Sequence, residues 1–289
     1  MHRRTVPIMR CTLIRAAVLG ASLTALTFAA GGVGSAAQAH TRASAAPTGL
    51  LVRANSHAAL PRHGGTVDSL NWSGYAVTPS GGDVTAVSST LVVPTAGLIP
   101  PGFAATWAGI GGYTSGDSTL IQAGVGEQSL PTLPILGDQY YAWYELLPNT
   151  ETQLTGCTGD ANCTVTPGES ISVTISLVSG TTWNIAMTDA GHWSWSQHVT
   201  YTSSKASAEW ILEAPTVLVA QTVIAPVGTV AFGPTSTYTA GGLTQTIAQG
   251  NPTQIDLSPG VINEATPSAL ASNGQSFDDC AYAQTCATP

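Results

Sequence analysis

From residue 68 onward, short runs of alternating apolar and polar residues follow one another with turn residues between them. Helical periodicity is hard to find. In "SISVTISLV" at 170–178, Ile171, Val173, Ile175 and Leu177 take one face while Ser170, Ser172, Thr174 and Ser176 take the other, which predicts a half-buried strand. "TTWNIAMTDAGHWSWSQHVTY" reads as an antiparallel pair turning at Asp189 to Gly191. The Thr, Val and Ser richness continues through "TVLVAQTVIAPVGTVAF". Many short strands without helices between them predict an antiparallel β-sandwich, and no fixed-period repeat points to a propeller or solenoid.

"AEWILEAP" at 208–215 breaks the pattern by carrying two glutamates in an otherwise apolar strand. Glu209 and Glu213 at a spacing of four would also share a helix face, but Pro215 and the β-branched run behind it decide for a strand. Trp210 and Leu212 then point one way and Glu209, Ile211 and Glu213 the other. Three further segments mix polar and apolar groups on one face. In "TLIQAGV" at 119–125, Ile121, Ala123 and Val125 oppose Leu120, Gln122 and Gly124; in "YYAWYELLP" at 140–148, Trp143 and Glu145 share a face with Tyr141 and Leu147; in "ATWAGIGG" at 105–112, Trp107 leads into a glycine-rich turn. If these strands form one sheet, one face carries Gln122, Glu145, Glu213 and several tryptophans, which is a polar, aromatic-lined cleft.

Charge sharpens the picture. Only 8% of the 289 residues are charged. From Gly64 onward Lys205 is the only Lys or Arg, while all 16 Asp and Glu of the chain lie there. Such a domain is acidic at neutral pH, which disfavours nucleic acid and anionic membranes as partners. Protonating its carboxylates leaves few positive charges to repel one another, so the domain is expected to tolerate acid.

The N-terminus reads as an export signal over 1–39. Arg3, Arg4, Arg10 and Arg15 precede the apolar run at 16–30, and "AQA" at 37–39 fits a cleavage site. Arg3 and Arg4 leave a twin-arginine signal open. Residues 40–66 hold Arg42, Arg53, Arg62 and three histidines but no acid, and read either as a disordered linker or as a basic propeptide lying on an acidic enzyme. The expected domain is 67–289, secreted and monomeric, with no membrane contact after signal cleavage. Cys157, Cys163, Cys280 and Cys286 read as two short disulfide loops, although four cysteines permit three connectivities.

Several catalytic sets fail on inventory. A Ser-His-Asp triad would have to use His192 or His198, and neither lies near a Gly-x-Ser-x-Gly elbow. Paired cysteines offer no nucleophile. No histidine-carboxylate cluster suggests metal catalysis, and no phosphate-binding glycine loop ends in Lys. Carboxylate chemistry remains.

"NWSGYAV", "TWAGIGG", "IQAGV", "YAWYELLP" and "AEWILEAP", in this order and at this spacing, resemble the successive motifs of the glutamic peptidases, or eqolisins. The resemblance runs from about 71 to 215; beyond 216 only general strand character is legible. It implies a secreted, acid-acting endopeptidase on a lectin-like sandwich of two antiparallel sheets, acting on proteins or peptides without metal or organic cofactor. It implies Gln122 and Glu213 as the catalytic pair, with Trp107 and Glu145 near the substrate; Trp143, through its neighbours, and Trp72 are further candidates for substrate contact. Leu146 stands where the family's motif has an aromatic, so pocket preference is expected to differ.

Such a pair fits peptide hydrolysis. Glu213, desolvated among aromatics, serves as base toward water and then as acid toward the leaving nitrogen, while Gln122 orients the water and donates to the oxyanion. Glu209 is expected to be solvated or hydrogen-bonded near the cleft edge. The competing readings are a sandwich glycoside hydrolase using Glu145 and Glu213, and a non-catalytic carbohydrate-binding lectin.

Overall fold

The computed structural model describes residues 52–53, 59–63, 66–129, 139–217 and 220–289. The signal-peptide reading lies outside these residues, as does most of the 40–66 reading. Two short strands fall inside that second segment: Val52–Arg53 runs antiparallel to Thr216–Val217, and Ala59–His63 antiparallel to Thr66–Ser69.

The described fold is all-β, with one 3₁₀ turn at Ile247–Gly250. One run of antiparallel pairing passes through Gln139–Leu146, Ile121–Ser129, Gly102–Ile110, Ala208–Glu213, Trp72–Val77 and Thr253–Leu257. A second passes through Trp193–Thr200, Thr182–Asp189, Ser170–Ser179, Val84–Val92, Thr237–Ala240 and Leu243–Thr246. Thr229–Phe232, Phe277–Ala281 and Ala265–Pro267 link the two runs, closing at Leu257 opposite Ala265. One continuous sheet thus curls on itself until its two halves face each other.

The strand periodicities explain the layers. Ile171, Val173 and Ile175 of "SISVTISLV" are buried, as alternation predicts, and the Thr182–Asp189 and Trp193–Thr200 strands form the expected hairpin. Ala208, Trp210 and Leu212 join Val87, Leu91, Ile171 and Val173 in the main core. The Trp210 indole crosses this core, donating to the Ser88 carbonyl at 2.9 Å. Each large buried side chain of this kind contributes about 1.5–3 kcal/mol from area removed from water.

The other face of the first half carries its own apolar cluster, built from Trp72, Ala76, Ala105, Trp107, Leu120, Trp143, Ile211 and Ile255. Both faces of Ala208–Glu213 are therefore buried, against different partners. Cys157–Cys163 and Cys280–Cys286 are the disulfide pairs, the two short loops expected from spacing.

Candidate active site

Register places the polar groups in rows across that second face. In the first row Glu145 pairs with Gln122, Gln122 with Gly109, Gly109 with Glu209, and Glu209 with Ala76. The second row runs Trp143, Gly124, Trp107, Ile211 and Gly74. The third runs Tyr141, Gly126, Ala105, Glu213 and Trp72. Small residues alternate with large ones, so the indoles have room to lie over the strands beside them. Gly124 shows how tight this is: a Cβ there would sit 2.1 Å from the Thr106 carbonyl oxygen and 2.7 Å from Trp107 Cα.

The structure therefore brings Gln122, Glu145, Glu213, Trp72, Trp107 and Trp143 to one face, as their alternation predicts, and buries all six. Within that face they separate into two polar groups. Gln122 Nε2 donates to Glu145 Oε2 at 2.8 Å. Glu213 accepts from Trp107 Nε1 at 2.9 Å on Oε2 and from Asn71 Nδ2 at 3.3 Å on Oε1. Asn71 is itself held, since Ser69 Oγ donates to its Oδ1 at 3.2 Å. Trp107, on the row between Gln122 and Glu213, packs edge to face on Trp72 with ring centroids 5.0 Å apart.

Sequence reasoning missed Asn71 as a partner of Glu213. Its signal was available, because it opens the "NWSGYAV" motif. Trp107 was read as a substrate neighbour, and its indole N–H holds Glu213. Glu145 was read the same way, and it holds Gln122.

Two expectations need correction. Glu209 is not at a solvated edge: it is wholly buried, because its strand is covered on both faces and it stands between Gly109 and Ala76 in the middle of the sheet. Burial raises its carboxyl pKa well above the ordinary value, only partly offset by Ser207. A histidine-carboxylate cluster also exists, where none was legible. His192 Nδ1 lies 3.1 Å from Glu169 and 2.8 Å from Asp189, because the 189–192 turn folds back beside the start of the Ser170–Ser179 strand. It belongs to the other half of the sheet. Beside Tyr141, burial pushes Glu151 up to about 7, with the Tyr141 hydroxyl opposing the shift.

Buried carboxylates held by amide and indole donors, on an aromatic-lined face whose glutamine is itself held by a carboxylate, are groups that carboxylate-based hydrolysis can use. The sequence matches the family model described as the peptidase A4 family over residues 70–274. The chain therefore belongs to the peptidase A4 family, the glutamic peptidases, and is a hydrolase of peptide bonds.

Similar solved structures agree on the fold. Scytalido-glutamic peptidase with a transition state analog inhibitor superposes with a TM-score of 0.56 at 19% identity, covering 73% of this chain and 98% of that one. SCP-B, an eqolisin family member in complex with the tripeptide Ala-Ile-His, gives 0.55 at 19% identity with the same coverage. Aspergilloglutamic peptidase from Aspergillus niger gives 0.52 at 23% identity, covering 62% of this chain and 99% of that one. No curated protein matches the sequence.

Proposed function

We propose that the protein is a secreted, acid-acting endopeptidase with a lectin-like sandwich fold, in which Gln122 and Glu213 carry out hydrolysis. The observation that carries this reading is the buried Glu213 carboxylate, held by Trp107 Nε1 and Asn71 Nδ2 on the face that also holds Gln122. Two donors fix the carboxylate's orientation, and the apolar surround withholds competing water.

Hydrolysis then needs three acts. Glu213 takes a proton from the attacking water and returns it to the leaving nitrogen. Gln122 Oε1, which has no hydrogen-bond partner among the described residues, accepts from that water. The second Nε2 hydrogen of Gln122 donates to the tetrahedral oxyanion, since the first is engaged by Glu145. The transition state analog inhibitor and the tripeptide in the similar structures support a peptide as the ligand of such a face.

Residues 1–39 act in this reading as an export signal. Residues 40–66 act as a basic propeptide that leaves before the buried face accepts a substrate. The pairing of Val52–Arg53 with Thr216–Val217, three residues beyond Glu213, supports that role.

The test is an assay of the purified mature protein on an unfolded protein from about pH 2 to 7, beside Glu213→Gln and Gln122→Ala. Cleavage in acid that both substitutions abolish, with folding retained, is the expected result. Full proteolysis by Glu213→Gln would overturn the assignment.

A further inference from the structure

Away from the cleft face, Glu169, Asp189 and His192 form a cluster that has no part in that mechanism. Ile171 pairs with Asp189 across the Ser170–Ser179 and Thr182–Asp189 strands, and Glu169 stands two residues before Ile171, so both carboxylates come to the same end of the hairpin. The turn that follows brings His192 back over them. Its backbone N–H donates to the Asp189 carbonyl at 3.0 Å, and Gly191 supplies the φ of +85° in that reversal. His192 Nδ1 then lies 2.8 Å from Asp189 Oδ2 and 3.1 Å from Glu169 Oε1, and the donor atoms of the three residues all stand within 4.8 Å of one another.

The charges of this cluster do not balance. Two carboxylates converge on one imidazole nitrogen, which carries at most one hydrogen. From Gly64 onward Lys205 is the only Lys or Arg, and its Nζ lies 3.5 Å from Asp83. Burial raises the Asp189 carboxyl above its ordinary pKa, and the neighbouring Glu169 charge adds to the rise while His192 opposes it. The donors are also held in place. Thr166 N–H engages Glu169 Oε2 at 2.6 Å, which leaves Oε1 for His192. The Asp189 side chain is 4% exposed and that of His192 41%, so protein closes one side of the cluster and water reaches the other. Ligands about 2.1 Å from one octahedral cation stand about 3 Å from each other, which matches the spacing of Nδ1 from the two oxygens.

We propose that Glu169 Oε1, Asp189 Oδ2 and His192 Nδ1 form a structural site for one divalent transition-metal cation of the Mn²⁺ to Zn²⁺ kind, completed by water on its open side. A nitrogen beside two carboxylate oxygens suits such an ion better than Ca²⁺ or Mg²⁺, which take oxygen ligands. The cation takes the place of any hydrogen on Nδ1 and neutralises both carboxylates, which ties the 189–192 turn to the start of the Ser170–Ser179 strand. The 157–163 disulfide loop shares this anchor, because Thr158 and Ser194 exchange backbone hydrogen bonds of 2.9 Å just beyond the turn. The site lies on the second run of strands and has no role in hydrolysis.

The test titrates metal-stripped wild type, His192→Ala and Glu169→Gln with manganese, zinc and calcium chloride at neutral pH, read by calorimetry and by thermal melts. Wild type is expected to bind one Mn²⁺ or Zn²⁺ ion that either substitution weakens by about 10-fold or more. With that ion at about 100 times its Kd, the wild-type melting temperature is expected to rise by about 5 °C or more, and that of the variants by much less. If wild type binds neither Mn²⁺ nor Zn²⁺ with a Kd below about 1 mM, the proposal is overturned and the cluster is an ion pair only. Binding of unchanged strength in His192→Ala overturns it too, because the ion then sits elsewhere. So does Ca²⁺ binding tighter than either transition metal, since the imidazole is then no ligand. If Glu169→Gln does not fold, His192→Ala decides, because its ring is partly exposed and its loss leaves no buried gap.

Discussion

Gln122 Nε2 donates to Glu145 Oε2 at 2.8 Å, across adjacent strands and inside a face that excludes water. A glutamine amide has two chemically different ends, and a carboxylate acceptor on one side selects which end faces it. Glu145 therefore decides where the Gln122 donor points. Removing it as Glu145→Ala leaves a buried N–H unpaired, at a cost of about 1–3 kcal/mol. The expected consequence is a fall of roughly 10–100-fold in kcat with a smaller change in KM, read by steady-state kinetics on an unfolded protein substrate.

Trp107 performs the matching task for Glu213. Trp107→Phe keeps most of the ring that packs on Trp72 and deletes the N–H that donates to Glu213 Oε2. Asn71 remains as a donor to the other oxygen. The carboxylate loses one of these two anchors, and activity is expected to fall about 10-fold or more while the fold persists. Peptidase assay and a thermal melt of the same preparation check the two halves of this statement. A Trp107→Phe protein with wild-type kcat would assign the indole a packing role only.

Stability should depend on pH in the direction set by buried acids. Burial pushes the carboxyls of Glu127, Glu209 and Asp279 well above their ordinary pKa, and Glu151 up to about 7. Below about pH 4 these groups are protonated in both folded and unfolded chains, so their contribution is fully present. As pH rises, the unfolded chain releases protons that the folded chain keeps, and stability is lost by about 1.4 kcal/mol per pH unit for each group still protonated when folded. The share from Glu151 is lost between about 4.5 and about 7. Melting temperature is thus expected to decline from pH 4 to pH 8, and Glu127→Gln to flatten that decline. A melting temperature that rises over this range would contradict the assignment.

Much of the site was legible because strand alternation is a local property. The opposite directions of Trp210 and Glu213, or of Ile121 and Gln122, follow from counting by two, and the structure has them in different apolar clusters or on different faces as expected. Register is not local. Nothing in "AEWILEAP" says that Glu209 pairs with Gly109 and Glu213 with Ala105, so the burial of Glu209 and its place in the row of Gln122 could not be read. The Asn71 contact to Glu213 spans 142 positions, and the approach of His192 to Glu169 depends on a turn folding back on a strand. The disulfides were legible for the opposite reason, as each closes a loop between residues only six positions apart.

Gly124 links packing to chemistry and yields the sharpest structural test. It faces Trp107 on one strand and Trp143 on the other, in the row between Gln122 and Glu213. A methyl group there would meet the Thr106 carbonyl oxygen at 2.1 Å and Trp107 Cα and Cβ at 2.7 Å, and two of those three atoms are backbone. The strands cannot yield as a flexible side chain would, so Gly124→Ala is expected to destabilise the fold by about 1–3 kcal/mol or more. The displaced Trp107 also carries the N–H that reaches Glu213. Activity of the remaining folded protein should therefore fall further than its stability alone implies. Gly81→Ala serves as the control, since a Cβ there meets nothing within 4 Å. Melting temperature and kcat per folded molecule, measured side by side for the two variants, separate the packing cost from the catalytic one. Equal kcat in both would break the link between Trp107 and Glu213.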